Sequence, residues 1–92
     1  MAHGFVYFLR GPNNLVKIGK ASRLDERIKN ISPKLPFGVE LIHSIETNYM
    51  NELEREAHIM FCEQRIRGEW FQLTDIDIHH VVDVGVLDGM EL

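Results

Sequence analysis

The sequence predicts a small α/β (α+β) domain in which a three-stranded antiparallel sheet, led by an N-terminal hairpin, is flanked by helices. Two short runs rich in aromatic and β-branched residues, 4–10 and 15–19, flank the turn-forming cluster 11–14, which indicates a hairpin. Apolar residues then recur at helical spacing in two later segments, and residues 39–45 alternate like a strand. Ninety-two residues suffice for one domain with a small core, so we expect residues 1–92 to form a single domain.

The first predicted helix follows the hairpin. Ser22, with Asp25 three positions on, resembles a capping box at its start. Arg27 falls at the edge of an apolar stripe, with Arg23 one turn before it. The stripe recurs at i, i+4 and i+7 and comprises Leu24, Ile28 and Ile31. Pro33 and Pro36 are expected to end the helix.

The remaining elements are a third strand and two helices. The strand covers residues 39–45, with Val39, Leu41, His43 and Ile45 expected on one face. The second helix is predicted from about Tyr49 to Arg67, with Gly68 stopping it and Glu54, His58 and Arg65 on one flank. Residues 70–73 look too short for an independent strand, and a last helix is expected from Thr74 or Asp75 to about Asp83. Residues 84–92 show no defensible period.

Composition excludes several classes of protein. The chain is 45% apolar and 26% charged, which is ordinary for a globular domain. Cys62 is the single cysteine, which excludes an internal disulfide and a cysteine-based zinc cluster and favours a reducing, cytoplasmic setting. Cys62 itself is expected to be a buried thiol. No apolar run approaches the ~20 residues of a membrane span, and the N-terminus does not look like a signal peptide.

The net charge of −4 argues against nucleic-acid binding, because such proteins usually carry a basic stripe. The charge is unevenly distributed, however. Residues 10–34 hold seven Lys and Arg against Asp25 and Glu26, whereas residues 75–92 hold five acids and no Lys or Arg. The first third can therefore present a basic face, with the acidic C-terminal stretch expected to point away from it.

Two tripeptides in the hairpin carry a resemblance to a known family. Phe5-Val6-Tyr7 and Lys17-Ile18-Gly19 lie on the two adjacent strands, and Arg27, Glu54, His58 and Glu69-Trp70-Phe71 follow in order. This arrangement resembles the GIY-YIG nuclease superfamily, in particular the small phage and bacterial branch in which the second tripeptide reads K-I-G. The resemblance covers roughly residues 4 to 74.

The resemblance implies a metal-dependent endonuclease acting on DNA. Tyr7 would help position or deprotonate the attacking water, and Arg27 would stabilise the developing phosphate charge. Glu54 would ligate Mg²⁺ or Mn²⁺, and His58 would transfer a proton or orient that carboxylate. Lys17 replaces the usual second tyrosine, so it would contact a phosphate or, if its pKa were lowered by burial, act as a base. Lys17, Lys20, Arg23 and Arg27 are the predicted DNA-binding residues.

Each of these residues also has an ordinary structural interpretation. Tyr7 can be strand packing, Lys17 a solvated strand lysine, Arg27 a surface helix arginine, and Glu54 an i, i+4 partner of His58. Glu69 is expected to cap or pair locally, and Trp70 and Phe71 to anchor the core. The alternatives to an enzyme are a non-catalytic nucleic-acid-binding module and a protein-interaction factor, and the oligomeric state stays open, a homodimer included.

Two geometric expectations follow for the active site. The five catalytic candidates should share one concave face; they are Tyr7, Lys17, Arg27, Glu54 and His58. Tyr7 and Lys17 can face the same side only if the connection between their strands has an odd number of residues.

Overall fold

The chain folds around the predicted N-terminal hairpin. The computed structural model describes residues 2–35 and 37–84. Strands β1 (Gly4–Arg10) and β2 (Leu15–Ala21) pair antiparallel, with Tyr7 opposite Gly19 and Leu9 opposite Lys17. The last pair is Arg10 with Val16, so residues 11–15 form a connection of odd length. Because directly opposite residues project to the same side, Tyr7 and Lys17 lie on one face of the sheet.

The sheet has five strands where the sequence predicts three, in the order β3-β1-β2-β5-β4, and every pairing is antiparallel. Strand β3 is Glu40–Thr47, as expected to within two residues. The two additional strands are β4 (Arg65–Arg67) and β5 (Trp70–Gln72). Each has only three residues, but β5 gains its hydrogen bonds from β2, which is already part of the sheet, and so needs no independent stability.

The second helix is shorter than predicted. Helix α2 (Met50–Met60) ends before a short turn of 3-10 helix at Cys62–Gln64, and the chain then continues as β4. Gly68 therefore does not stop a helix; with a φ of +57° it turns the chain between β4 and β5, a conformation that glycine adopts at little cost. Cys62 is exposed, which corrects the expectation of a buried thiol.

The other two helices begin in different ways. Helix α1 (Leu24–Ile31) follows Arg23, and its N-cap makes no side-chain hydrogen bond, so the predicted capping box is absent. The start of α3 (Asp75–Val84) is capped as predicted. The Thr74 hydroxyl accepts a hydrogen bond from the backbone N–H of Asp77, and the Asp77 carboxylate accepts one from the backbone N–H of Thr74.

The main hydrophobic core lies on the side of the sheet that faces α2 and α3. The strands contribute Val6, Phe8, Val16 and Ile18 to it; the helices contribute Leu53, Ala57, Ile78 and Val81. We call this side the α2 face. The opposite side, which carries Tyr7 and Lys17 and is contacted by Arg27 of α1, we call the α1 face. No helix of the described residues is long and apolar enough to cross a membrane.

A β-bulge changes the predicted face of β3. His43 lies opposite Phe8, but the next pair is Leu41 with Leu9, so Ile42 is the extra residue. Ile42 packs against the core, whereas Leu41 is 41% exposed. The expectation that Leu41 shares a face with His43 and Ile45 is therefore wrong, because the bulge breaks the two-residue alternation.

Candidate active site

Tyr7 lies at the centre of the α1 face and is fully buried. Gly19, directly opposite on β2, leaves room for the tyrosine ring. A β-carbon at Gly19 would lie 2.5 Å from Cζ of Tyr7, would overlap its hydroxyl oxygen, and would approach Oε1 of Glu69 to 3.1 Å. The glycine of the Lys17-Ile18-Gly19 tripeptide is thus needed to fit the tyrosine of the first tripeptide.

Arg27 reaches the tyrosine from α1. Its Nε donates to the Tyr7 hydroxyl over 3.5 Å. This hydrogen bond and the Coulombic interaction with the Tyr7 side chain raise the pKa of Arg27 above its usual value; burial opposes them, and the Glu69 carboxylate adds a smaller increase. The guanidinium therefore remains a fixed positive charge beside a hydroxyl group. That pairing of groups suits a site at which negative charge develops on a phosphate.

Lys17 forms an ion pair that the sequence did not predict. Its Nζ lies 2.8 Å from Oε1 of Glu69, and only 15% of the Lys17 side chain is exposed. The backbone carbonyl of Glu69 also accepts a hydrogen bond of 2.9 Å from the N–H of Ile18. Glu69 therefore pairs with a lysine 52 positions away and does not cap locally. In the sequence, the only indication that Glu69 belongs to the site was its position at the start of the Glu69-Trp70-Phe71 run. The pairing of β5 with β2 is what brings Glu69 next to Lys17.

Glu54 lies on α2, one turn before His58. Its Oε1 is 3.7 Å from Nζ of Lys20, and its Oε2 is buried without a hydrogen-bond partner. Only 14% of this side chain is exposed. A carboxylate oxygen that is buried and unpartnered is costly, and a hydrogen-bond donor or a cation would satisfy it; the described residues hold no cluster of three or more His, Cys, Asp or Glu side chains that could hold a metal ion.

His58 is held between two neighbours. Its Nε2 is 2.9 Å from the carbonyl oxygen of Ile18, and Nη2 of Arg65 is 2.8 Å from its Nδ1. A carbonyl only accepts and a guanidinium only donates, so these contacts require the proton on Nε2 and a lone pair on Nδ1. Both ring nitrogens are engaged, and among the described side chains His58 makes no hydrogen bond to Glu54. Arg65 lies on β4 and not on the predicted flank of the helix, but its side chain reaches His58.

The five candidates fall into two groups, so the expectation of one shared face is wrong. Lys17 and Gly19 of β2 project to the α1 face with Tyr7 and Arg27, whereas Ile18 and Lys20 project to the α2 face, where α2 carries the other two candidates. The two groups meet along β2, where successive residues project to opposite sides of the sheet. The sequence argument placed both helices over the same side of the sheet, but α1 and α2 cover opposite sides.

Lys20 links the two groups at the end of β2. It pairs with Glu54, and it also lines a depression of about 280 Å³ together with Arg27, Arg23 and Asn30. Strand β5 pairs with β2 only over Leu15, Val16 and Lys17, so the end of β2 beyond them is not covered by β5. Lys20 is therefore the side chain that both contacts the Glu54 carboxylate and lines the depression beside Arg27.

A second depression, of about 170 Å³, adjoins the first and shares Arg27 and Asn30 with it. Its lining is completed by Lys17, Ile31, Lys34, Leu35 and Trp70. All four predicted DNA-binding cations line one or both depressions. Three of them pair with acids: Lys17 with Glu69, Lys20 with Glu54, and Arg23 with Glu26 at 3.4 Å. Lys34, which the sequence did not single out, has no ion-pair partner among the described side chains.

The comparisons with known proteins give one match. The family model of the T5orf172 domain matches residues 4–85, which include every residue of this site. Searches of the curated proteins and of the solved structures returned no match.

Proposed function

Because the chain belongs to the T5orf172 domain family, a GIY-YIG-like family associated with endonucleases, we propose that it is a metal-dependent endonuclease that hydrolyses DNA phosphodiester bonds. The family is compatible with a nuclease-like or a DNA-binding role. A shared fold does not decide between them, so the proposal depends on the side chains. The observation that carries it is that Arg27, which contacts the Tyr7 hydroxyl, also lines the larger depression together with Lys20, Arg23 and Glu26.

Arg27 and Tyr7 have complementary roles in this proposal. The guanidinium binds a phosphate oxygen in the depression and stabilises the charge that builds up during attack by water. The Tyr7 hydroxyl accepts from Arg27, and because the tyrosine is fully buried it acts by holding the guanidinium in place rather than by contacting the attacking water. The burial of Tyr7 fixes the position of this hydroxyl, which is what efficient alignment requires.

Glu54 is the residue that would hold a divalent cation. Its buried, unpartnered Oε2 fits Mg²⁺ or Mn²⁺, which accept one carboxylate and complete their shells with water and substrate phosphate. When bound, such an ion would polarise a phosphoryl oxygen and stabilise the leaving oxyanion. Lys20 supplies a positive charge to Glu54 from the depression side. A phosphate that draws this ammonium away would leave the carboxylate to the metal.

Lys17 and His58 have supporting roles. Lys17 is paired with Glu69, so a phosphate must share or take over its ammonium. His58 has both ring nitrogens occupied, which favours positioning over proton transfer. Through Ile18 it ties α2, and with it Glu54, to the strand that carries Lys17 and Gly19.

The test is the Glu54→Gln variant in a plasmid-nicking assay with Mg²⁺ and with Mn²⁺. Glutamine keeps the shape of the side chain but removes the charge that a divalent cation requires, so we expect cleavage to be lost. The fold should survive, and thermal melting checks it. Glu56→Gln is the matched control, because Glu56 is an exposed glutamate on the same helix and should be dispensable.

Undiminished cleavage by a folded Glu54→Gln protein would refute the metal site. A second function is favoured by one specific observation, the replacement of the second tyrosine by Lys17, which forms an ion pair with Glu69. The domain would then be a DNA-binding module without catalysis. DNA binding without cleavage by the unmodified chain, across both metals and several substrates, would select this alternative.

A further inference from the structure

The smaller of the two depressions combines an apolar wall with a cationic rim. Ile31, Leu35 and Trp70 form the apolar part, and Lys17 and Lys34 stand among the rim residues. Its volume of about 170 Å³ is well below the ~300–1,000 Å³ of clefts that hold drug-sized ligands. A single flat ring with an anionic group attached fits this size and this distribution of charge.

Trp70 is a rigid wall of the depression. Strand pairing places it opposite Lys17, and its ring packs edge-on against Phe37, with centroids 5.6 Å apart and planes at 78°. The Lys17 ammonium lies 5.8 Å from the centre of the indole ring. Trp70 is only half-buried, so it retains surface on which another ring can stack. Aromatic side chains fixed in this way are the usual stacking platforms for unpaired bases.

The polar groups of the rim match the rest of a nucleotide. The Asn30 side chain offers both a donor and an acceptor for the edge of a base. Lys34 has no ion-pair partner among the described side chains, so its ammonium is available to a phosphate. Arg27 lines this depression and also contacts Tyr7, so a base bound in the depression would lie beside the phosphate that Arg27 binds in the proposed function.

We propose that this depression binds one unpaired DNA base, and that the preferred DNA therefore carries an unpaired nucleotide beside the phosphate at Arg27. In a continuous duplex the bases are stacked and paired, and a base can enter such a depression only after it is unstacked at a cost. Single-stranded or bulged DNA avoids that cost. The statement about the scissile phosphate rests on the proposed nuclease function, whereas the binding preference does not require catalysis.

Trp70 is the single tryptophan of the chain, so its fluorescence reports on this depression directly. The experiment titrates the full chain, in buffer with EDTA to prevent cleavage, with three DNAs of equal length: a single strand, a duplex, and a duplex with one bulged nucleotide. We expect Trp70 quenching by the single strand and the bulged duplex. Their affinity should exceed that of the continuous duplex on the order of tenfold, the effect of one stacked base.

Two variants assign the effect to the depression. Leu35→Phe fills the space while keeping a single tryptophan, and it should abolish the preference for unpaired DNA while leaving duplex affinity unchanged. Lys34→Gln should weaken binding of the single strand severalfold more than Lys29→Gln, which removes the same charge from the exposed surface of α1 outside the depression. Thermal melting confirms that each variant is folded.

Equal affinity for all three DNAs, or a preference that survives Leu35→Phe, would overturn the inference. The outcomes also separate it from the nuclease proposal. A preference for unpaired DNA without cleavage in Mg²⁺ would refute the enzyme and support the base site. Cleavage of duplex without any preference for unpaired DNA would support the enzyme and refute the base site. Failure to bind any of the three DNAs would refute both the nuclease proposal and the base site.

Discussion

The close fit of Tyr7 against Gly19 leads to a quantitative prediction for Gly19→Ala. The added β-carbon would lie 2.5 Å from Cζ of Tyr7, whereas non-bonded carbons prefer about 3.5–4.0 Å. The ring or the strand must therefore shift by about 1 Å. The ring is fully buried, so it cannot swing into solvent, and the Glu69 carboxylate at 3.1 Å closes another direction of escape.

Overpacking of this kind costs about 1–3 kcal/mol. In a domain of this size each kcal/mol lowers the melting temperature by about 4–8 °C, so a cost of about 2 kcal/mol corresponds to a fall of about 8–16 °C. A reactive group displaced by about 1 Å can lose on the order of 100-fold in rate, so the nicking activity of the folded variant should fall by about that factor.

The matched control is Gly38→Ala, because a β-carbon there would meet no atom within 4 Å and the position has no left-handed backbone conformation. This variant should melt at or slightly above the temperature of the unmodified protein. Thermal melts and nicking rates of both variants are the measurement. If Gly19→Ala melted and cleaved like Gly38→Ala, the packing of Tyr7 against β2 described above would be wrong.

Two further predictions concern the charges around the site. Glu69→Gln frees the Lys17 ammonium from its ion pair, so the DNA affinity in metal-free buffer should rise and its salt dependence should steepen by about one phosphate contact. The control is Glu63→Gln, because Glu63 is exposed. An unchanged affinity of Glu69→Gln would show that Lys17 does not reach DNA. For the unmodified chain, log affinity should fall linearly with log salt, by about 0.9 per phosphate contact on duplex and about 0.7 on single strands. A flat response in binding titrations from low to moderate salt would remove phosphate contact as the basis of partner choice.

The sequence predicted the parts of the fold that local patterns encode. The hairpin follows from turn formers between two apolar runs, and the start of α3 from Thr74 at its cap. The strands β4 and β5 were missed because each has three residues, too few to show alternation, and because Arg65 falls on the helical spacing that begins at Glu54. Strand β5 depends on pairing with β2, which lies more than 40 positions away and which no local pattern records, and β4 pairs in turn with β5.

The candidate site was predictable only within single elements. Strand alternation is a local rule, so the sequence stated the condition that Tyr7 and Lys17 face the same way if their connection has odd length; the register of the strands supplies that odd length. Which face of the sheet each helix covers is a property of the whole chain, and so the separation of Glu54 from Arg27 was missed. The pairing of Lys17 with Glu69 was missed for the same reason.

The incomplete pairing between β5 and β2 has a consequence for the chain's behaviour toward its own copies. A strand with unpaired N–H and C=O groups invites another chain to add to it. The N–H of Ile18 donates a hydrogen bond to the Glu69 carbonyl, and the carbonyl of Ile18 accepts one from His58. Lys20, two residues further along β2, places a charge beside this edge. These are the means by which natural sheets discourage edge-to-edge aggregation. The opening beside the proposed catalytic groups thus remains accessible to a charged backbone such as DNA, while a second β-strand is kept out.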